Sequence, residues 1–303
     1  MKIVILLSTY NGEKYLAEQL NSLLNQDIKY FDILIRDDGS KDNTLNILED
    51  YSSKYKNIKY YVGNNMGPAR SFFELIKKAG NYDYYSLCDQ DDVWFNNKLS
   101  TAIKTLNNYD NRKPLLYASR FTLTDKDLNP INSKISKLYS FSDFEHSLIY
   151  HSAPGCTFLF NKKAREKILQ YDLNREFFVI HDAIIHKVVA MLGTFILDNN
   201  SYMYYRQHGD NEIGMTANVF KSFISRINNF VSGNIKNYRS NSAKSLLRVY
   251  ENEIDSDKQH LLEVLAYYRE NKEFKKELLN NEGFKTGTIN DLFFKILVIL
   301  NYI

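Results

Sequence analysis

The densest chemistry in this 303-residue chain is the run Asp89, Gln90, Asp91 and Asp92, three carboxylates within four positions directly after the apolar segment Tyr84 to Cys88. Carboxylates this close repel one another unless a cation or hydrogen-bond donors compensate. Hard oxygen ligands of this kind suit Mg²⁺ or Mn²⁺, ions that keep part of their water shell and bridge to phosphates. The alternative is a solvated turn whose last acid, Asp92, caps the following helix. A second acidic turn, Asp37-Asp38-Gly39-Ser40, has its own local explanation, since Asp and Gly favour turns and Asp42 or Asn43 can cap the next helix. Ser8, Thr9, Tyr10, Asn11 and Gly12 form a third turn that offers hydroxyls, an amide and a flat ring. A Tyr beside an Asp can stack a nucleobase and accept its imide N–H.

Other side chains are weaker candidates. Arg70, just inside the helix that follows Gly67 and Pro68, is within reach of a phosphate or else is a solvated surface charge. His181 and His186 are five apart and no Glu follows His181, so the zinc-protease helix is absent. Trp94, the single Trp, is expected to pack behind the acidic turn. No glycine-rich dinucleotide fingerprint and no phosphate loop occurs, and no Ser-His or Cys-His pair stands out as a nucleophile. Cys88 and Cys156 are too few for a disulfide framework or a four-thiolate zinc site, so a reducing, cytoplasmic compartment is expected.

The three turns need a scaffold that brings them together. Over the first 120 residues, short β-branched runs (KIVILL, FDILIRD, IKYYV, YYSLC, LLYAS) alternate with helical patterns at 13–25, 43–53, 68–79 and 96–109. That alternation predicts an α/β fold with a mostly parallel central sheet flanked by helices. Ligands of such sheets bind at the carboxyl ends of the strands, where all three turns fall. Beyond a looser middle with a turn at 125–129, a strand is expected at 157–160, a helix from about Lys162, and a helix from about Asp182 to Leu192 closed by Gly193. Two strands, TFILD and YMYYRQ, follow.

From Thr216 onward only helical patterns remain, which divides the chain into a catalytic unit at 1–215 and a helical C-terminal extension at 216–303. The extension carries 13 of the 39 basic and 10 of the 36 acidic residues, so the whole net charge of +3 lies there. So small an excess gives no reason to expect a nucleic-acid partner. A content of 44% hydrophobic residues excludes a disordered chain. No stretch reaches the roughly 20 apolar residues of a membrane span. Phe220, Phe223, Ile224, Ile227 and Val231 nevertheless recur at helical spacing beside Lys221 and Arg226, and 289–303 is apolar on two faces. The expectation is peripheral contact with the inner face of the cell membrane; the alternative is packing on the catalytic unit or in a homodimer.

STYNG, IRDDGS and DQDD, in this order and spacing, resemble the inverting glycosyltransferases of family 2, which have the glycosyltransferase A fold; the resemblance covers 1–215. It implies that Thr9, Tyr10, Asn11, Asp38 and Arg70 belong to a nucleotide-sugar site, with Tyr10 and Asp38 on the base. It also implies that Asp89 lies on the ribose or metal and Asp91 on a Mn²⁺ or Mg²⁺ ion. HDAIIHKVVAMLG followed by YYRQHGDN is similar to rhamnosyltransferases of bacterial surface polysaccharide synthesis within that family. By that likeness Asp182 is the base, Arg206 and His208 lie near the diphosphate or metal, and Gly155 to Thr157 lines the acceptor side. Local alternatives are an N-cap for Asp182 and a structural role for His208. The implied reaction moves a sugar from a UDP- or dTDP-linked donor to a saccharide or lipid-linked saccharide. A silent nucleotide-sugar-binding scaffold and a D-x-D phosphotransferase are the alternatives. The latter usually carries its nucleophilic Asp after the first strand, where this chain has Ser8 and Thr9.

Overall fold

The computed structural model describes residues 1–131, 143–150, 153–208, 236–281, 284 and 289–303. Strands and helices alternate first: Ile3–Thr9 (β1), Leu16–Leu24 (α1), Asp32–Asp37 (β2), Thr44–Lys54 (α2), Ile58–Val62 (β3), Pro68–Lys78 (α3) and Tyr84–Cys88 (β4). Then follow Val93–Trp94 (β5), Lys98–Leu106 (α4), Leu115–Thr124 (β6), Phe144–Ile149 (α5), a 3₁₀ turn at Gly155–Thr157, Leu159–Asn161 (β7), Lys162–Ile168 (α6), His181–Leu192 (α7) and Thr194–Arg206 (β8). Among the described residues that follow are the helices Tyr238–Tyr250 (α8), Ser256–Tyr267 (α9), Lys272–Asn280 (α10) and Ile289–Ile299 (α11).

The eight strands among the described residues form one sheet in the order β3-β2-β1-β4-β7-β6-β8-β5. β1 runs parallel to β2 and β4, and β2 parallel to β3, whereas β7 is antiparallel to β4 and β6. Parallel neighbours require crossover helices on the sheet faces, which is why β1 and β4 are apolar on both sides. Along β1, Val4 and Leu6 join one hydrophobic cluster while Ile3, Ile5 and Leu7 join the other. This period of two fixes the register of the strand. As a result, the turns after β1, β2 and β4 emerge at one edge.

Three elements differ from expectation. The strand expected at 157–160 is a 3₁₀ turn followed by β7, because Thr157 donates to the Pro154 carbonyl through its N–H (3.0 Å) and its hydroxyl (2.7 Å) and so closes the chain on itself. TFILD and YMYYRQ are one 13-residue strand. The polar pair Asn199-Asn200 reads as a turn, yet it sits where the register against β6 shifts between Ser119 and Arg120, and the bulge absorbs it. The two-residue β5 is too short to show any period; it forms because Val93 and Trp94 pair with Tyr204 and Met203.

The expected division near residue 215 and the basic segment with Phe220, Lys221, Phe223, Ile224, Arg226, Ile227 and Val231 lie outside the described residues. Helices α8, α9 and α11 pack into the hydrophobic cluster that already holds α3 and α7, through residues such as Leu246, Tyr250, Leu262, Leu265, Leu297 and Val298. α11 therefore has one buried face. Its other face leaves Leu292, Ile296 and Ile299 exposed, as is Leu300 just past its end. Among the described residues no helix is long and apolar enough to cross a membrane.

Candidate active site

Two of the three turns are bound to each other before the acidic run is considered. The Asp38 N–H donates to the Thr9 carbonyl (2.8 Å), the Asn11 N–H to the Ser40 hydroxyl (2.8 Å), and the Lys41 N–H to Asn11 Oδ1 (2.9 Å). Asn11 takes a left-handed φ of 47°, a conformation that Asn tolerates better than most side chains. The buried Asp37 accepts from the N–H groups of Gly39 (3.0 Å) and Ser40 (2.9 Å). Tyr10 keeps its ring at the surface, 43% exposed, where a flat ligand can lie against it.

The acidic turn is electrostatically unfavourable by itself. Burial raises the Asp89 carboxyl to about 7, with repulsion from Asp91 and Asp182 adding to the shift. The Asp92 carboxyl is pushed up well above its ordinary value by burial, then by Asp91 and Asp89. Beneath them lies Lys98, 2% exposed, whose ammonium donates to the Cys156 carbonyl (2.5 Å) and stands 3.5 Å from the centre of the Trp94 ring. Burial pulls Lys98 down to about 8, against the attraction of neighbouring acidic groups that include Asp92 and Asp89. A divalent ion fits these residues. Ligand atoms of Asp89, Asp92 and Cys156 lie within 4.8 Å of one another, and Asp92 Oδ2 is buried without a hydrogen-bond partner. The expected ligands Asp91 and His208 meet each other instead, Nε2 to Oδ2 at 2.8 Å, with the imidazole tilted against Tyr15 at 4.8 Å between centroids.

Asp182 enters from the far side. It lies in the first turn of α7, 5% exposed, and the N-cap position belongs to Ile180, so it is not the side-chain cap of its helix. Its Oδ2 accepts from the Gly155 N–H (3.1 Å) and its Oδ1 from the Ala183 N–H (2.8 Å). A side chain at Gly155 would place its Cβ 2.6 Å from His181 Nε2 and 3.2 Å from Asp182 Cβ, which is why this turn needs glycine. Gly155 thus spaces two candidate groups: the next residue, Cys156, hydrogen-bonds Asp89, and Gly155 itself holds Asp182.

Several expected ligand-binding side chains are already engaged. Asp38 is 3% exposed; it pairs with the Arg36 guanidinium and accepts from the N–H groups of Met66 (3.0 Å) and Gly67 (2.9 Å). Its carboxylate therefore latches the chain ahead of α3 and does not present a free oxygen to a base. Thr9 is buried and gives its hydroxyl to Gln90. Arg70 donates to Asn174 Oδ1 (3.0 Å) and the Leu173 carbonyl (3.1 Å), tying α3 to the 173–174 segment instead of reaching toward a phosphate. Arg206 is buried against the Tyr15 ring, pairs with Glu18, and donates to the carbonyls of Asp91 (2.9 Å) and Lys126 (2.6 Å). It supports the backbone of the acidic turn from behind. Asp92 does not cap α4, whose N-cap is Asn97; it accepts from the Arg206 N–H (3.3 Å). Trp94 is buried. Lys98, Cys156 and Gln90 carry no local signal in the sequence, because their roles come from contacts 58 to 81 positions away.

These features can be set beside known proteins. The family model described as glycosyl transferase family 2 matches residues 4–169. The dTDP-rhamnosyl transferase RfbG of Shigella flexneri is 32% identical over 238 residues, covering 73% of this chain and 78% of that protein. An uncharacterized glycosyltransferase of Rickettsia typhi, RT0329, is 26% identical over 224 residues, covering 73% and 69%. Among solved structures, residues 1–349 of S. aureus TarS in complex with UDP-GlcNAc superpose with a TM-score of 0.60 at 16% identity, covering 99% of this chain and 82% of that one. A likeness at that identity speaks for the fold alone, but the family model spans more than half of the chain and agrees with the relative from Shigella. With its mostly parallel sheet and its acidic turns at one edge, the chain is a glycosyltransferase and belongs to glycosyl transferase family 2.

Proposed function

We propose that this enzyme transfers rhamnose from dTDP-rhamnose, with inversion, to a hydroxyl of a saccharide or lipid-linked saccharide in bacterial surface polysaccharide synthesis. The observation that carries the reading is the Gly155–Cys156 step, which joins two carboxylates 93 positions apart: the Gly155 N–H holds Asp182 at 3.1 Å, and the Cys156 thiol lies within 4.8 Å of the Asp89 carboxylate. A donor-side carboxylate and a proton acceptor on opposite sides of a small turn suit a single displacement, in which the acceptor oxygen attacks as the diphosphate leaves. The name of the Shigella relative supports dTDP-rhamnose as the donor; UDP sugars are the second choice. In this reading Tyr10 stacks the base and Asp89 takes the ribose or the metal. Asp91 and His208, with Asp89 and Asp92 beside them, would hold Mn²⁺ or Mg²⁺, which supplies positive charge to the leaving diphosphate. Asp182 removes the acceptor proton, with the Gly155 N–H holding its carboxylate in place.

Thermal shift against a panel of nucleotide sugars tests the donor. With Mn²⁺ present, dTDP-rhamnose is expected to stabilise the protein most, by about 2.7 kcal/mol at a hundredfold excess over its dissociation constant. The gain should be larger at pH 8 than at pH 6. Asp89 holds a proton until about pH 7, and at lower pH an incoming cation must displace it. A larger response to another nucleotide sugar reassigns the donor, and none to any of them removes the reading.

Peripheral membrane contact belongs to the same proposal. Leu292, Ile296 and Ile299 form an exposed stripe along α11 that Leu300 continues, and the Lys275 ammonium lies at its end, bonded to the Ile299 carbonyl (3.0 Å) and Asn301 Oδ1 (2.8 Å). Apolar residues flanked by positive charge suit an anionic leaflet. The protein is expected to sediment with anionic vesicles at low salt, and Leu292→Asp with Ile296→Asp should abolish this. Recovery of the unaltered protein in the supernatant would refute it.

A further inference from the structure

The residue between the two expected metal acids was given no role by its sequence context, yet it makes three hydrogen bonds to the turn after β1. Gln90 Oε1 accepts from the Thr9 hydroxyl (2.6 Å) and the Tyr10 N–H (2.8 Å), while its Nε2 donates to the Tyr10 carbonyl (3.1 Å). Both main-chain polar groups of Tyr10 are thus satisfied by one carboxamide from 80 positions away. Only an amide offers an acceptor and a donor side by side at that reach. Gly12 is shaped to the same group, since a Cβ there would lie 2.4 Å from Gln90 Oε1 and 2.9 Å from its Cδ. The opposite flank of the Tyr10 turn is fixed to the turn after β2 through Asn11 and Ser40. Gln90 supplies the connection to the acidic turn.

We propose that Gln90 is a positioning residue that locks the Tyr10 turn to the acidic turn, so that the nucleobase and diphosphate ends of the donor site are held at one fixed separation. The inference rests on the reading of Tyr10 as the surface for the base. A donor spanning both turns gains from such a lock because the geometry is set before binding and less ordering remains to be done. Asp89 and Asp91, the neighbours of Gln90, then move with the Tyr10 ring and not independently of it.

The test is calorimetric titration of dTDP, in the presence of Mn²⁺, into the unaltered protein, Gln90→Leu, Tyr10→Ala and the double variant. Gln90→Leu should weaken dTDP by about tenfold or more. Once the Tyr10 ring is gone, the same change should cost less than about threefold, since there is no ring left to position. A role limited to stability would lower the melting temperature and leave the two losses multiplicative. Affinity of Gln90→Leu within about threefold of the unaltered protein, or multiplicative losses in the double variant, overturns the inference. Unchanged affinity in Tyr10→Ala instead overturns the reading beneath it. If Gln90→Leu does not fold, Gly12→Ala is judged by the same two criteria, because it displaces the carboxamide without removing it.

Discussion

Replacing Asp91 with alanine is expected to abolish Mn²⁺-dependent binding of dTDP-rhamnose and to slow release of dTDP by on the order of a thousandfold or more. The size follows from what the site lacks without a cation. Three carboxylates share one turn, Asp89 already holds its proton to about pH 7, and the buried Lys98 is the cation beneath them. Lys98 donates to a main-chain carbonyl on the protein side, so the charge on a leaving diphosphate has to be met from the open side. Removing Asp91 also takes away the 2.8 Å partner of His208, so one substitution disturbs two of the proposed ligands. Arg206 should still hold the turn, because it binds the Asp91 main-chain carbonyl and not the side chain. The variant is therefore expected to melt near the unaltered protein. Full activity in a chelator such as EDTA would defeat this account of the acidic turn.

Asp182→Asn is expected to leave donor affinity intact and to slow transfer by about 100- to 10,000-fold, the usual cost of losing a general base. An amide preserves the shape and keeps one acceptor oxygen for the Gly155 N–H, which now meets Asp182 Oδ2 at 3.1 Å, while the Ala183 N–H loses its acceptor on Oδ1. It cannot take a proton. The lost acceptor for the Ala183 N–H is expected to cost about 1 to 3 kcal/mol of stability, a change that leaves the fold intact. Calorimetry for the donor and single-turnover rates for transfer separate the two effects. Transfer within a few-fold of the unaltered rate would place the base elsewhere.

The site residues differ in how far their surroundings in the chain reveal them. The apolar runs KIVILL, FDILIRD and YYSLC, alternating with helical patterns, were enough to define a mostly parallel sheet, because strands buried on both faces carry apolar side chains at nearly every position. With the sheet comes the edge at which the three turns emerge, and the order and spacing of STYNG, DDGS and DQDD then carry the family. All of this depends on the chemistry of neighbouring residues.

What the sequence could not determine is which polar side chains are free. Asp37 and Asp38 read alike, yet both are turned inward, Asp38 onto Arg36 and the main chain before α3. Arg70 and Arg206 are charges of the right kind in promising places, and both brace the backbone. Gln90, Lys98 and Cys156 are ordinary letters in the chain and become central only when distant segments meet around them. A residue type states what bonds a side chain can make. Which of those bonds are already made inside the protein depends on groups tens of positions away, and only the packed tertiary structure brings these to hydrogen-bonding distance.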